Sequence, residues 1–178
     1  VLQQTDQAIR VQMKDAVSGR AVRTVGFSAD PDDNDSIDLV TMADLNGNQT
    51  SELALLVDNK TPNGADRVEI RDSGNGQLIG NIDFGTGQTP RQLGLLRDLN
   101  GNGANELAVL RDGSARVLVK DAKTGAPLNT LNYGLSQPYR LAGVLNNAEG
   151  TTDLALLGVG GTSGQTRAHV LDVLTNTL

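Results

Sequence analysis

Short alternating runs closed by glycine set the pattern of this chain. In "RVEIRD", residues 67–72, the apolar Val68 and Ile70 sit between charged neighbours; "SGNG" follows with a turn composition, and "QLIGNIDF", residues 77–84, alternates again around a glycine. A period of two marks a strand with one buried face, so the stretch predicts a hairpin. "QLGLLRDL" from Gln92 and "ELAVLRD" from Glu106 predict two further short strands before "RVLVKD" opens at Arg116. The apolar runs are too short and too rich in turn residues for helices, although Leu and Ala give only moderate strand propensity.

The same pattern recurs. "RVQMKDAVSG" from Arg10, "RVEIRDSGNG" from Arg67, "RVLVKDAKTG" from Arg116 and "RAHVLDVLTN" from Arg167 start 57, 49 and 51 residues apart. Each carries an aspartate five residues after its arginine: Asp15, Asp72, Asp121 and Asp172. Twelve residues beyond the first three of these lies an aromatic, Phe27, Phe84 or Tyr133. A repeat of this length with about four antiparallel strands has the size of a propeller blade. The expected fold is therefore all-β, a propeller-like repeat in one domain over residues 1–178. It would comprise an outer hairpin at 9–27, repeats at 37–84 and 92–133, and a partial repeat at 140–172. That makes roughly 13 strands, or about three and a quarter blades, whereas closed propellers have at least about four. The expectation is an incomplete propeller, or one completed by another copy through its open sheet edges. The recurring arginines are read as structural, pairing with the aspartate-bearing hairpins.

Composition narrows the function. The 178 residues carry a formal charge of -6 with a pI near 4.6, the wrong sign for displacing counterions from nucleic acid. Two Phe, two Tyr and no Trp leave few stacking platforms for bases or sugars. The absence of cysteine excludes disulfides, thiol catalysis and cysteine-held zinc. Apolar runs such as Leu53 to Val57 are far shorter than the roughly 20 residues that cross a bilayer, so no transmembrane segment is expected. The opening "VLQQTD" has neither an initiator methionine nor a signal-peptide layout, which suggests a processed product or an excised piece.

Two loops carry candidate chemistry. "DLNGNQTSELALL" at 44–56 and "DLNGNGANELAVL" at 98–110 place oxygens at positions 1, 3, 5 and 9: Asp44, Asn46, Asn48 and Glu52, and Asp98, Asn100, Asn102 and Glu106. Gly47 and Gly101 let the backbone turn with positive φ, so alternate side chains can converge. Position 7, Thr50 or Ala104, would give its carbonyl. A hard cation such as Ca²⁺ takes about six to eight such oxygens, whereas Mg²⁺ keeps more waters and transition metals favour His or Cys. The loops are not EF-hands, which need glycine at position 6 and glutamate at 12; here Gln49 and Leu55, or Gly103 and Val109, stand there. The competing reading is a metal-free Asn-Gly turn closed by side-chain hydrogen bonds.

The D-x-N-x-N-x-x-x-E pattern followed by "LALL" or "LAVL" resembles the FG-GAP or VCBS-type repeat of integrin α-chain propellers and many bacterial extracellular proteins. The resemblance implies two Ca²⁺ sites between the first two strands of a blade. One would be held by Asp44, Asn46, Asn48, Thr50 and Glu52, the other by Asp98, Asn100, Asn102, Ala104 and Glu106. The third copy, "VLNNAEGTTDLALL", departs from the pattern: Val144 replaces the first acid and one residue is inserted before Asp153, so no strong site is expected. With two carboxylates per loop the affinity would fall near the 10⁻⁴ to 10⁻³ M of extracellular modules, order of magnitude.

Other features invite blander readings. "SADPDDNDSID" at 28–38 reads as a solvated insertion, His169 as an incidental strand residue, and "GVGGTSGQ" at 158–165 as a hairpin loop without the lysine of a phosphate loop. One histidine gives no Ser-His-Asp arrangement, and acids that recur in every unit suit architecture better than a single active site. The expectation is a calcium-stabilised, secreted or cell-surface module without catalytic activity, binding a protein or cell-surface partner or other copies of itself. The alternatives are a self-assembling ring or filament subunit, and the non-catalytic part of a polysaccharide-acting propeller enzyme.

Overall fold

The computed structural model describes every residue except 6, 7, 29–33, 62, 63, 114, 147–151, 161–163 and 178. Among the described residues there are fourteen strands and no helix. In chain order they are β1 (Leu2–Thr5), β2 (Ala8–Lys14), β3 (Ala21–Phe27), β4 (Asn34–Met42), β5 (Glu52–Asn59), β6 (Asp66–Asp72), β7 (Leu78–Gly85), β8 (Pro90–Leu96), β9 (Glu106–Arg111), β10 (Arg116–Asp121), β11 (Pro127–Asn132), β12 (Leu135–Asn146), β13 (Thr152–Gly160) and β14 (Gln165–Asp172). Among the described residues no helix is long and apolar enough to cross a membrane.

The strands make four open antiparallel meanders. Two have three strands, β1-β2-β3 and β12-β13-β14, and two have four, β4-β5-β6-β7 and β8-β9-β10-β11. The all-β class and the four-stranded antiparallel unit expected from the repeat are thus present. One strand is additional: β1 pairs with β2, Leu2 opposite Val11 and Thr5 opposite Ala8. Its residues Gln3, Gln4 and Thr5 are exposed, so no alternation announces it. Backbone bonds hold it instead, among them the Gln12 N–H donating to Val1 O at 2.8 Å.

The chain divides into two compact units, Val1–Gly87 and Gln88–Leu178. In the first, alternate residues of three strands form one core: Ile9 and Val11 of β2, Val25 and Phe27 of β3, and Leu53, Leu55 and Val57 of β5. The intervening Ala54 and Leu56 are also fully buried, so β5 is covered on both faces, as its unbroken apolar run requires. A polar clamp adds to this core. Glu69 Oε1 accepts the Ser28 N–H at 2.9 Å and the Arg71 Nε–H at 2.6 Å, while the Arg71 guanidinium lies 5.8 Å from the Phe27 ring centroid.

The second unit also packs its sheets on one core, but through the opposite face of the corresponding strand, Ala108 and Leu110 matching Ala54 and Leu56 of the first. Ala108 and Leu110 of β9, Val117 and Val119 of β10, Leu131 of β11, Leu154 and Leu156 of β13 and Leu171 of β14 share its core. Tyr133 is buried there, its hydroxyl donating to Leu154 O at 2.6 Å, and burial raises its pKa. The aromatics that mark the repeat, Phe27, Phe84 and Tyr133, are all buried. The aspartate-bearing hairpins close alike: Asp72 N–H donates to Gln77 O and Asp121 N–H to Ala126 O, with Gly76 and Gly125 at φ of 80° and 72°.

Truncating the shared apolar face is the direct test of this packing. Leu55→Ala should lower the unfolding free energy by about 2–5 kcal/mol in urea titration. Val22→Ala, on the exposed face of β3, should change it by less than about 0.5 kcal/mol.

Candidate metal centre

The connection from β4 to β5 carries Asp44, Asn46, Asn48 and Thr50 and delivers Glu52 as the first residue of β5. The connection from β8 to β9 repeats this with Asp98, Asn100, Asn102, Ala104 and Glu106. Each loop wraps around its first carboxylate. Asp44 Oδ1 accepts the N–H groups of Asn46 at 3.1 Å and Gly47 at 2.7 Å, and Oδ2 that of Gln49 at 2.7 Å. Asp98 does the same for Asn100, Gly101, Asn102 and Gly103 at 2.7 to 3.3 Å. Wrapping this tightly takes positive φ at Gly47 (80°) and Gly101 (78°), and again at Gly103 (83°), where the first loop strains Gln49 to 67°.

Below each loop a glutamate is sealed in. Glu52 Oε1 accepts the Leu45 N–H at 3.0 Å and Glu106 Oε1 the Leu99 N–H at 2.9 Å. Both glutamates are fully buried, and the second oxygen of each, Oε2, accepts no hydrogen bond from the protein. A buried carboxylate oxygen without a donor is costly.

Sheet register then adds a second acid. The β5–β6 pairing sets Glu52 directly opposite Asp72, and the β9–β10 pairing sets Glu106 opposite Asp121. Both aspartates are fully buried as well. Like charges facing across a sheet repel. The aspartates also reach the loops: Asp72 Oδ2 accepts the side-chain amide of Asn46 at 2.8 Å and that of Asn48, and Asp121 Oδ2 accepts those of Asn100 at 2.9 Å and Asn102 at 2.5 Å. Sequence reasoning gave Asp72 and Asp121 a hairpin role only. Their recurrence five residues after each arginine was the available signal, but only strand pairing shows what they face.

The electrostatics divide these acids into two classes. Burial raises the pKa of Glu52, with Asp72 and Asp44 adding to the rise, and Glu106 is raised by burial, Asp121 and Asp98 in the same way. Asp72 is held down at about 2, chiefly by the Asn46 amide, against its burial. Burial works to raise Asp121, but donors from Thr124, Asn100 and Asn102 outweigh it and hold it at about 2. Asp44 and Asp98 are lowered mainly by the N–H groups of Gln49 and Gly103.

Each loop carries the two carboxylates and two amides expected from sequence, and an aspartate of the neighbouring strand accepts both amides. Among the described residues no three His, Cys, Asp or Glu side chains form a metal-holding group by themselves. What the loops offer is a mixed set of carboxylate, amide and main-chain oxygens, the donor chemistry of a hard cation. Hydrogen bonds alone also close both loops, as a metal-free turn requires.

The remaining sequence features fall elsewhere. The third copy runs through residues 147–151, outside the described residues; in β13–β14 register its Asp153 faces Asp172. Residues 29–33 of the acidic stretch are likewise outside, while Asp35 pairs with Lys60 at 2.7 Å with both side chains exposed. His169 is half-buried in β14 opposite Leu156. "GVGGTSGQ" joins the paired ends of β13 and β14, Gly160 opposite Gln165, with residues 161–163 outside the described set.

The two classes of acid predict a pH optimum for chelator-treated protein. Glu52 and Glu106 bind protons in the folded state above their ordinary 4.5, so stability rises as pH falls toward that value. The lowered aspartates act oppositely: their contribution is complete above the ordinary carboxylate range and is lost as pH falls through about 2. The melting temperature should climb as pH falls toward about 4.5 and drop as it falls on toward about 2. In Glu52→Gln/Glu106→Gln the climb should vanish; a wild-type midpoint falling steadily from neutrality would contradict the assignment.

No protein-family model matches the chain, and no curated protein matches it either.

Proposed function

We propose that the chain is a calcium-stabilised, extracellular protein-interaction or adhesion module of the FG-GAP/VCBS type, with its sheets as propeller blades and without catalytic activity. The observation that carries this reading is the pair of fully buried glutamates, each with one oxygen accepting no hydrogen bond and each facing a buried aspartate beneath an oxygen-rich loop. Neighbouring carboxylates that cannot reach water are relieved by a cation.

Asp44, Asn46, Asn48 and Glu52, with the Thr50 carbonyl, would hold one ion; Asp98, Asn100, Asn102 and Glu106, with the Ala104 carbonyl, the other. The ion supplies the positive charge against which the buried acids stay ionised. Held loops would fix the first two strands of each blade relative to the third, giving a partner a rigid rim of loops to bind. Repetition of the same acids in both loops supports architecture over a single catalytic site. A set of oxygens with this charge suits the calcium level outside cells.

The three-stranded sheets support a second reading, a self-assembling subunit. Each leaves strand edges unpaired within its own sheet, and such edges accept a strand from another copy.

Calorimetric titration of chelator-stripped protein with Ca²⁺ tests the first reading. Saturable uptake near two ions per chain is expected, lost in Asp44→Ala/Asp98→Ala, with each site adding about 1.4 kcal/mol of stability at ten times its Kd. Absence of uptake at millimolar Ca²⁺ would reduce the loops to hydrogen-bonded turns. Sedimentation of the same samples decides the second reading, which predicts discrete assemblies or filaments rather than a monomer.

A further inference from the structure

A loop asparagine can offer a cation either its carbonyl oxygen, which binds, or its NH₂ group, which repels. In both loops a carboxylate across the sheet decides which. We propose that Asp72 and Asp121 are positioning residues of the two cation sites, each fixing a pair of loop amides with their oxygens available to a hard divalent ion; this rests on the calcium reading of the loops.

The argument runs through the acceptor chemistry of the aspartates. Asp72 Oδ1 is engaged by its own hairpin, accepting the Asn75 N–H at 2.8 Å, which leaves Oδ2 toward the loop. An ionised carboxylate only accepts, so the Asn46 and Asn48 groups meeting Oδ2 must be their NH₂ ends. Their oxygens then face the other way. Asn46 Oδ1 accepts the Asn48 N–H at 3.0 Å and Asn48 Oδ1 the Thr50 N–H at 2.8 Å, and a carbonyl oxygen has a second lone pair. The Thr50 hydroxyl donates to Asn48 Oδ1 at 2.6 Å, with Asp72 Oδ2 a longer alternative acceptor at 3.3 Å, so an ion on Asn48 Oδ1 would displace this hydroxyl.

The second loop repeats these bonds except those of the hydroxyl, since Ala104 stands where the first has Thr50. Asp121 Oδ1 takes the Thr124 N–H at 2.6 Å, Oδ2 takes the two amides, and Asn100 and Asn102 oxygens accept the N–H groups of Asn102 at 3.0 Å and Ala104 at 2.8 Å. An independent feature points to a cation at the same place: the fully buried Glu52 and Glu106, cross-strand partners of these aspartates, each keep an oxygen that accepts no hydrogen bond. Asp72 and Asp121 therefore do two things for the ion. They orient its neutral ligands, and each adds one negative charge behind them.

Asp15 provides the control. It holds the same hairpin position and makes the same turn bonds, accepting the Val17 and Ser18 N–H groups at 3.1 and 2.6 Å, but it is exposed and touches neither loop.

The experiment is calorimetric Ca²⁺ titration of the chelator-stripped whole chain, with melting temperatures recorded in chelator. In Asp72→Asn and Asp121→Asn the turn still needs an acceptor at Oδ1, so the new NH₂ meets the loop amides and turns their oxygens away. Each single variant should weaken one site by about 10- to 100-fold and leave the other as an internal reference, while Asp15→Asn binds like wild type. Adding Asn48→Asp to Asp72→Asn moves the acid to the other side of the same hydrogen bond and should recover most of the loss, which repair of folding alone would not do.

Wild-type affinity at both sites of Asp72→Asn and Asp121→Asn would overturn the proposal and leave the calcium reading standing. An equal loss in Asp15→Asn would overturn it in favour of a general turn effect. A wild-type chain that takes up no calcium removes the reading and this inference together.

Discussion

Two acids face each other across neighbouring strands, buried, at the same place in both four-stranded sheets: Glu52 with Asp72 and Glu106 with Asp121. A sheet gains nothing from such a pair by itself, since the charges repel and neither reaches water. The surrounding structure answers each member differently. The aspartate collects donors, from its own hairpin and from the loop amides, and remains ionised down to about 2. The glutamate collects one backbone N–H and has its pKa raised.

That constraint organises the rest of each sheet. The glutamate begins the second strand and the aspartate ends the third, so their pairing pins the register at the end where the apolar runs start. From there Leu53, Leu55 and Val57, or Ala108 and Leu110, take their places in the cores. A slip of one residue would turn those side chains to the other face and separate the acids. The loop between the first and second strands lies over the pair, closing on Asp44 or Asp98 and touching the aspartate through two amides. Three polar elements distant in sequence thereby become one cluster.

Much of the fold was legible from residues alone. Alternation, and for β5 and β9 short apolar runs bounded by turn residues, gave the strands from β2 onward; glycine gave the turns, and the recurring Arg, Asp and aromatic gave the frame of the repeat. β1 was not legible, because Gln3, Gln4 and Thr5 pair through backbone groups that leave no mark on side-chain pattern. The loop residues of the candidate site were found by their spacing, since side chains two apart on a tight turn lie on one side. Asp72 and Asp121 were visible as repeated letters but not as part of that site. They lie 20 and 15 residues beyond Glu52 and Glu106, and nothing local connects them.

The sequence by itself determined the class of structure and the oxygen-rich make-up of the two loops, because period-two burial, turn formation and oxygen spacing are properties of consecutive residues. Tertiary structure alone decided that each loop closes over a buried acid, that a second acid opposes it, and that the second acid orients the amides. Those facts depend on cross-strand register and on exclusion of water, and both arise only when separate strands pair and bury a common face.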